Sequence, residues 1–343
     1  MAIDNVTFLN SVAKEMTAEY NDRIPTATQE NLSEISETIS QYPTLKNEFI
    51  KQLTNLVAKT VVISRQYSHK YKFLHKGSMP YGTTIEMIIA DVVKGKTFTE
   101  NFGTANTDIG SLLSKEESQV KVEYIQRNVQ LKYKNTISTL QLMGAFRSEN
   151  GLSELVNALA TRIVNSMELD EELLIQKAIN TVEGGAKAVI TGYASMTENE
   201  KAKALTKSIM VNTAKMEFLT NKYNKTGVHT FSKPNELVIF ATPETQAMID
   251  VELLASTYHM DKAEVSQRIV LVPEFMKVTG DDEVVDSETL AIIMDTNAIQ
   301  LYDNLNTSGT FENPDGLYTN VFYHSWKTVG VCNHFNAMRI KTA

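Results

Sequence analysis

Histidine is the residue type that most often binds a transition metal or moves a proton near neutral pH, and this sequence contains six. They are His69, His75, His229, His259, His324 and His334. His69 and His75 are six residues apart, which is neither a helical nor a strand spacing for a shared ligand. His324 and His334 lie in an aromatic-rich segment near the C-terminus. We therefore predict hydrogen-bonded core or surface histidines and no metal site among them.

An acidic run lies at 281–288, where Asp281, Asp282 and Glu283 are followed by Asp286 and Glu288. A calcium-binding EF-hand loop needs oxygen ligands at alternate positions and a glycine at the sixth. The run does not fit this spacing, so we predict a solvated turn between two strands.

Residues 65–76 combine positive charge with aromatic rings and contain no acidic residue. The basic residues are Arg65, Lys70, Lys72 and Lys76, and the interleaved aromatic residues are Tyr67, Tyr71 and Phe73. In single-strand nucleic-acid binding, aromatic rings stack on bases while cations follow the phosphates. A strand whose basic face meets an acidic partner surface explains the same pattern, and we favour this second interpretation.

Four sequence motifs typical of enzymes are missing: the Gly-x-Gly-x-x-Gly fingerprint, the Walker loop, His-Glu-x-x-His and Gly-x-Ser-x-Gly. Cys332 is the single cysteine, which rules out an internal disulfide and a Cys-based zinc site and favours a reducing compartment. We predict no catalytic, cofactor-binding or metal-binding residues.

Composition narrows the class of protein further. Hydrophobic residues make up 42% of the chain, enough for a sizeable core. The net charge of −8 argues against a dedicated nucleic-acid binder that neutralises phosphates. No apolar run approaches the ~18 residues of a membrane span, and the N-terminus lacks the layout of a signal peptide. These features predict a soluble, globular, intracellular protein.

Apolar residues at helical spacing predict the elements that would position any site. The predicted helices are 28–40, 45–62, 152–182, 201–223 and 243–256. The third would be about 45 Å long, with Asn150 as its N-cap and Gly184-Gly185 at its end.

Alternating apolar residues predict strands at 85–93 and 120–133, joined by a polar stretch. The second changes phase near 125–128, which predicts a bulge or bend. Further strands are predicted at 237–241, 269–272, 290–294 and 299–302, before an aromatic-rich segment at 317–340. A long hairpin is at best marginally stable alone. Protrusions of this kind point to a subunit of an assembly.

Four collinear stretches are similar to the major capsid proteins of short-tailed phages of the phi-29 kind. The first comprises Asn47, Phe49, Ile50, Leu53, Val61-Val62 and Arg65, then Phe73, Lys76-Gly77, Pro80, Gly82 and Thr84-Ile85-Glu86. The second comprises Val120-Lys121, Arg127-Asn128, Gln130, Tyr133 and Thr136-Ile137. The third comprises Asp250-Val251, Leu253-Leu254-Ala255 and Met260. The fourth comprises Tyr302-Asp303-Asn304-Leu305, Asn313-Pro314, Gly316-Leu317-Tyr318, Tyr323-His324, Trp326 and Thr328.

This resemblance implies an α+β Hong Kong 97-type phage capsid fold and a division of the chain into named parts. The parts are an N-terminal arm (1–65), an extended loop with peripheral-domain strands (66–150, hairpin about 80–125), a peripheral domain with a long spine helix (151–195), an axial α+β domain (196–319) and a return strand of the peripheral domain (320–343). Gly82 and Gly316 are expected at turns that need unusual backbone angles.

The implied function is that of a non-enzymatic major capsid protein in the virion, assembled in the cytoplasm of a host bacterium. Pentamers and hexamers of the chain would form an icosahedral shell around the double-stranded DNA genome. Scaffolding and portal proteins are implied partners, packaged DNA would be met non-specifically at the inner face, and no membrane is involved.

Two family features bear on these expectations. Some relatives carry an immunoglobulin-like domain after this fold, but here the sequence ends at Ala343, so an outward display role is not expected. Some members of the wider fold crosslink subunits through Lys–Asn bonds, and Lys94, Lys96 and Lys115 supply the residue type. We recognise no motif for the catalytic carboxylate and do not predict crosslinking.

Three other functions remain open at this point. A cellular encapsulating shell protein would share the fold but enclose enzymes. A motif-free α+β enzyme would have one deep polar pocket. A nucleic-acid-binding module built on 65–76 would bind in a salt-dependent manner.

Overall fold

The fold comes from a computed structural model, which describes residues 4–63, 68–80, 82–93, 119–147, 150–252, 269–279 and 282–342. Several residues singled out above lie outside these ranges: Arg65, Tyr67, Lys94, Lys96, Lys115, His259 and Asp281. The α-helices are α1 (Asn5–Ala13), α2 (Ala18–Arg23), α3 (Leu32–Gln41), α4 (Pro43–Ile63), α5 (Thr139–Arg147), α6 (Gly151–Thr181), α7 (Glu198–Met216) and α8 (Pro243–Glu252). The strands are β1 (His75–Ser78), β2 (Ile85–Ala90), β3 (Val120–Ile125), β4 (Val129–Ser138), β5 (Ala186–Ile190), β6 (Leu237–Ala241), β7 (Ile269–Leu271), β8 (Met276–Thr279), β9 (Asp282–Val285), β10 (Thr289–Asp295), β11 (Ile299–Asn313), β12 (Tyr318–Val331) and β13 (Ala337–Thr342).

A five-stranded sheet has the order β5–β13–β10–β6–β7. The strands β6 and β10 are buried because apolar clusters cover both faces, one reaching α6 and the other α7 and α8. A strand covered on both faces is apolar throughout. This is why short apolar runs were enough to predict 237–241 and 290–294, and both predictions are confirmed.

A four-stranded sheet has the order β1–β11–β12–β4. Its centre is the antiparallel pair β11–β12, in which Ile299 lies opposite Val331 and Asn313 opposite Tyr318. The prediction of a strand at 299–302 was too short, because β11 continues as a half-exposed polar ribbon without an apolar pattern. The predicted domain boundary between 319 and 320 falls within this hairpin. The last strand, β13, pairs with β5 and β10 in the five-stranded sheet.

The predicted strand at 120–133 is two strands in different sheets. β3 pairs with β2, and β4 pairs with β12. At the break, the Asn128 side chain replaces the backbone ladder: its Nδ2 donates to the Val329 carbonyl (2.7 Å) and its Oδ1 accepts from the Val329 amide (3.0 Å). Next to it, the Arg127 guanidinium lies 4.9 Å from the centre of the Trp326 ring. The phase change thus marks the point where the chain moves from one sheet to the other.

Helix α6 is 31 residues long and joins the two halves of the core. Its first half packs with α1, α3, α4 and α5, and its second half packs against the five-stranded sheet. The predicted helix at 152–182 is therefore confirmed. The helix predicted at 201–223 starts earlier, where Thr197 and Glu200 form a capping box, and ends at Met216. Of the helix predicted at 243–256, the described part is α8.

The N-terminus of α6 is capped by a residue that is distant in sequence. Asn150 takes the N-cap position, but its side chain makes no capping hydrogen bond. Instead, the buried Asn5 accepts from the Leu152 amide (3.0 Å) and donates to the Ala145 carbonyl (2.9 Å). Asn5 thus satisfies a free amide of α6 and a carbonyl of α5 at once, which fastens α1 across both helices.

We expect Asn5→Ala to lower the free energy of unfolding by about 1–2 kcal/mol, since it removes the cap and leaves buried polar groups without a partner. The matched control is Asn150→Ala, which should cost less than about 0.5 kcal/mol because no side-chain bond is lost. Urea denaturation of the unassembled chain measures both values. Equal effects of the two substitutions would contradict the assignment of the cap to Asn5.

The two glycines predicted at unusual backbone angles behave differently. Gly82 has a φ of +83°, as predicted. Gly316 does not have a positive φ; the next residue, Leu317, has a φ of +50°. A Cβ on Gly316 would collide with the ring of Tyr318 in its present position.

Candidate assembly surfaces

The β2–β3 hairpin presents an apolar face to solvent. In its register Ile88 lies opposite Val122 and Glu86 opposite Tyr124. Ile88 is 61% exposed and Tyr124 is 64% exposed, although both are large. Residues of the opposite face, such as Met87 and Glu123, turn towards the body and are half-buried. The strand pattern predicted for residues 85–93 holds over Ile85–Ala90, and an exposed apolar face of this kind marks an interaction surface.

Polar contacts fix this hairpin to the body at the middle and at the loop end of its strands. Asp91 accepts hydrogen bonds from the His229 backbone (3.1 Å) and from His229 Nδ1 (2.8 Å). These bonds, the backbone one first, lower the pKa of Asp91 to about 2. Glu123 accepts from the backbone and side-chain amides of Asn333 at 2.8 and 2.9 Å. The direction of the hairpin is therefore set by its contacts with His229 and Asn333, which lie later in the chain.

An apolar groove continues the hairpin surface. It is a cavity of about 550 Å³ between β2 and the segment 219–231. Ile88 and Met87 line one side, and Leu219 and Phe231, both more than half exposed, line the other. The hairpin and the groove together form one continuous apolar surface.

The tip of the β11–β12 hairpin is a second apolar surface. Asn313 closes the turn, since its Oδ1 accepts from the Asp315 and Gly316 amides at 3.0 and 3.2 Å. Phe311 and Leu317 flank this turn and are each 62% exposed. The Leu317 carbonyl accepts from the backbone and hydroxyl of Thr139, which fixes the tip against α5. The exposed side chains of Phe311 and Leu317 are thus carried by a turn whose position is fixed.

A buried ionic network joins α6 to the four-stranded sheet. Lys327 on β12 contacts Glu171 on α6 (2.5 Å) and Asp303 on β11 (2.7 Å). His69 donates to Glu171 (3.0 Å), and His75 contacts Asp303 (3.1 Å). Sequence spacing could not reveal that the two histidines belong to one network, since Glu171, Lys327 and Asp303 connect them.

Opposing effects set the pKa values of the two acids. Burial alone would raise the pKa of Glu171, but the His69 hydrogen bond and the Lys327 charge outweigh it and lower the pKa to about 2. Burial likewise opposes the His75 hydrogen bond and the Lys327 charge at Asp303, whose pKa is also lowered to about 2. Both carboxylates are therefore charged acceptors at neutral pH. The network holds α6 against strands β11 and β12 of the four-stranded sheet.

The acidic run is not wholly the solvated turn that we predicted. Asp286 is 2% exposed and accepts from Thr289 Oγ1 (2.7 Å), with Lys341 at 3.2 Å and Arg339 at 3.4 Å. Burial opposes these contacts, and the net effect lowers the pKa of Asp286. Arg339 also donates to the Val182 carbonyl (2.9 Å) and to the Asn180 carbonyl. A cation is thereby placed at the C-terminus of α6, where the helix dipole favours it.

The described part of the segment 65–76 does not form a continuous stacking surface. Tyr71 is 1% exposed and its hydroxyl donates to the Leu271 carbonyl (2.8 Å). Lys76 donates to Asn297 Oδ1 (3.0 Å), while Phe73 is exposed. Residues Lys72–Leu74 form a 3₁₀ turn before β1. The expected basic strand is therefore limited to His75–Ser78. The ring of Tyr71, the middle one of the three aromatic residues, is buried and cannot stack on a base.

Among the described residues, no helix has the length and apolar content needed to cross a bilayer.

Comparisons with known proteins cover almost the whole chain. The family model of the Phi29-like phage major capsid protein matches residues 9–341. The major capsid protein of Bacillus phage PZA is 26% identical over 340 residues, which are 98% of this chain and 72% of that protein. The major capsid protein of Streptococcus phage Cp-1 is 22% identical over 335 residues, 94% of this chain and 90% of that protein.

Solved capsid structures share the fold. The capsid structure of Staphylococcus phage Andhra aligns with a TM-score of 0.60 and 14% identity, covering 80% of this chain and 84% of that one. The mature capsid of bacteriophage PhiM1 aligns with a TM-score of 0.55 and 10% identity, covering 82% and 89%. At these identities the similarity shows the fold alone, an α+β fold of the Hong Kong 97 type. Since the family model spans residues 9–341 of 343, the chain belongs to the Phi29-like phage major capsid proteins.

Proposed function

We propose that this major capsid protein assembles through the outer face of the β2–β3 hairpin, as pentamers and hexamers, into the icosahedral shell that encloses double-stranded DNA. The observation that carries the proposal is the exposed apolar face around Ile88, Val122 and Tyr124. In isolation these side chains leave a large apolar area in water, which costs free energy that a neighbouring subunit would recover. The groove beside the hairpin extends the same surface.

The hairpin surface is tested by the paired substitution Ile88→Lys with Val122→Glu. The two residues lie opposite each other, so the introduced charges attract and the hairpin itself is preserved. We expect at least a tenfold loss of assembled particles, because two apolar side chains no longer gain from burial. Electron microscopy and sedimentation of the chain, purified alone and co-expressed with its scaffolding protein, measure the assembled fraction.

The matched control is Ile88→Val with Val122→Ile, which keeps the face apolar and should assemble as the parent chain does. Circular dichroism of both variants should match the parent, since the changed side chains are exposed. Normal shells from the charged variant would contradict the role of the hairpin. If the parent chain remained monomeric under every condition, this result would contradict assembly itself.

The division into arm, extended loop, peripheral and axial domains is part of the same proposal. Packing of α1 to α4 on the first half of α6 supports an N-terminal arm over residues 1–65 and a spine role for α6. The five-stranded sheet with α7 and α8 supports an axial domain. Sheet membership favours an end of the axial domain at about 298 rather than 319, since β11 belongs to the four-stranded sheet. It favours a second boundary at about 336 rather than 320, since β13 belongs to the five-stranded sheet.

The other partners are proposed from the resemblance and the charge. A net charge of −8 suits a wall that meets packaged DNA without holding it tightly. Scaffolding and portal proteins are proposed to meet the shell during its assembly in the bacterial cytoplasm.

A further inference from the structure

Three residues with metal-binding side chains meet beside the β2–β3 hairpin, on its body-facing side. They are Glu123 on β3, together with Cys332 and His334 in the turn that joins β12 to β13. One carboxylate oxygen, the thiol sulfur and one imidazole nitrogen all lie within 4.8 Å of one another. Oxygen, sulfur and nitrogen ligands of this mixture are typical of Zn²⁺.

We propose that Glu123, Cys332 and His334 form a binding site for a divalent transition-metal ion, with Zn²⁺ the best match, which fastens the hairpin to the body. Around a tetrahedral zinc ion, such ligand atoms lie about 3.4–3.6 Å apart. The observed separations of up to 4.8 Å therefore need to shrink by about 1.4 Å at most. The proposal departs from our prediction of no metal-binding residues, because one cysteine and one histidine can bind a metal ion together with a carboxylate.

One hydrogen bond to the Cys332 sulfur favours its thiolate form. The backbone amide of His334 donates a hydrogen bond to the sulfur of Cys332, two residues earlier. The Cys332 backbone is fixed in turn, because its amide donates to the Ala298 carbonyl (2.7 Å). The thiol proton points to the Glu123 carboxylate, so a metal ion would take the place of this proton between sulfur and oxygen.

The imidazole of His334 is oriented by a backbone carbonyl. Its Nε2 lies 3.2 Å from the Met87 oxygen on β2, an acceptor that requires the proton on this nitrogen. Nδ1 then carries the lone pair, with the Thr226 hydroxyl at 3.4 Å. Carbonyl contacts of this kind orient metal-binding histidines in general. The cavity of about 550 Å³ beside the hairpin is lined by His334 and offers a path of entry from solvent.

The test uses the full, unassembled chain, so that its outcome is independent of shell formation. Titration calorimetry with Zn²⁺ should show one ion per chain. Co²⁺ should give the near-ultraviolet charge-transfer band of a cobalt–thiolate bond. Zn²⁺ should also slow amide hydrogen exchange in β3, because the site fastens this strand.

The isosteric variants Cys332→Ser and Glu123→Gln should each weaken Zn²⁺ binding by more than the roughly 10–100-fold that changes outside the ligand shell produce. Cys332→Ser should also lose the charge-transfer band. His324→Gln removes a histidine elsewhere and should bind as the parent does. No binding by the folded parent, equal binding by all variants, or binding without slower exchange in β3 would each overturn the proposal.

Discussion

Replacing Lys327 with methionine should lower the free energy of unfolding by about 3–5 kcal/mol, as expected when a buried charge loses its partner. The side chain of Lys327 is 3% exposed and lies between Glu171 and Asp303. Methionine fills a similar volume but provides no charge and no hydrogen-bond donor. The buried carboxylate of Glu171 on α6 and the partly buried carboxylate of Asp303 on β11 would then remain without their shared cation. Urea denaturation of the unassembled variant at pH 7 measures the loss.

The pH dependence of this loss follows from the two acids. Their pKa values are about 2 in the folded chain and about 4 when unfolded. Their contribution to stability is thus complete above about pH 4.5 and is lost as the pH falls towards 2, since unfolding then takes up protons. The difference between parent and Lys327→Met should be largest at neutral pH and should shrink below about pH 4.5.

Lys225→Met is the matched control for this network. Lys225 pairs with Glu183 at 3.0 Å, but both side chains are more than half exposed. Solvent screens such a pair, so we expect a change of about 0–1 kcal/mol. A loss at Lys327 no greater than that at Lys225, or one that does not depend on pH, would contradict the role of the network.

Gly184→Ala should destabilise the chain by about 2–5 kcal/mol, from two additive causes. Gly184 follows α6 with a φ of +69°, a conformation that costs a residue with a side chain about 1–2 kcal/mol. A Cβ there would also overlap the Ala337 carbonyl at the start of β13, and crowding of a packed core costs about 1–3 kcal/mol. Because the obstacle is backbone, it cannot move aside as a flexible side chain could.

Gly192→Ala separates these two causes. Gly192 has a similar φ of +74°, but the nearest atom to an added Cβ is Ser195 Oγ at 3.7 Å. We expect a loss of about 1–2 kcal/mol from the backbone conformation alone. Thermal or urea unfolding of both variants gives the comparison. Equal losses at the two sites would mean that the contact between Gly184 and β13 is unimportant.

The family, the non-enzymatic capsid function and the fold class were all predicted from the sequence and are confirmed. Local patterns were sufficient for α6, whose apolar stripe repeats over 31 residues, and for the buried strand β6, whose five residues are all apolar. These elements bury one face or both faces along their whole length. The spacing of their apolar residues therefore shows which residues are buried.

Other features depend on residues that meet only after folding. Asn5 caps α6 from a position 147 residues before Leu152, and Lys327 meets Glu171 across 156 residues. No local spacing encodes either contact, because each partner is an ordinary polar residue until tertiary packing removes it from water. The candidate metal site is of the same kind, since Glu123 lies on the hairpin and Cys332 in the last turn. Periodic burial therefore determined the elements, whereas the buried polar contacts that hold them in place were decided by the packing of distant segments.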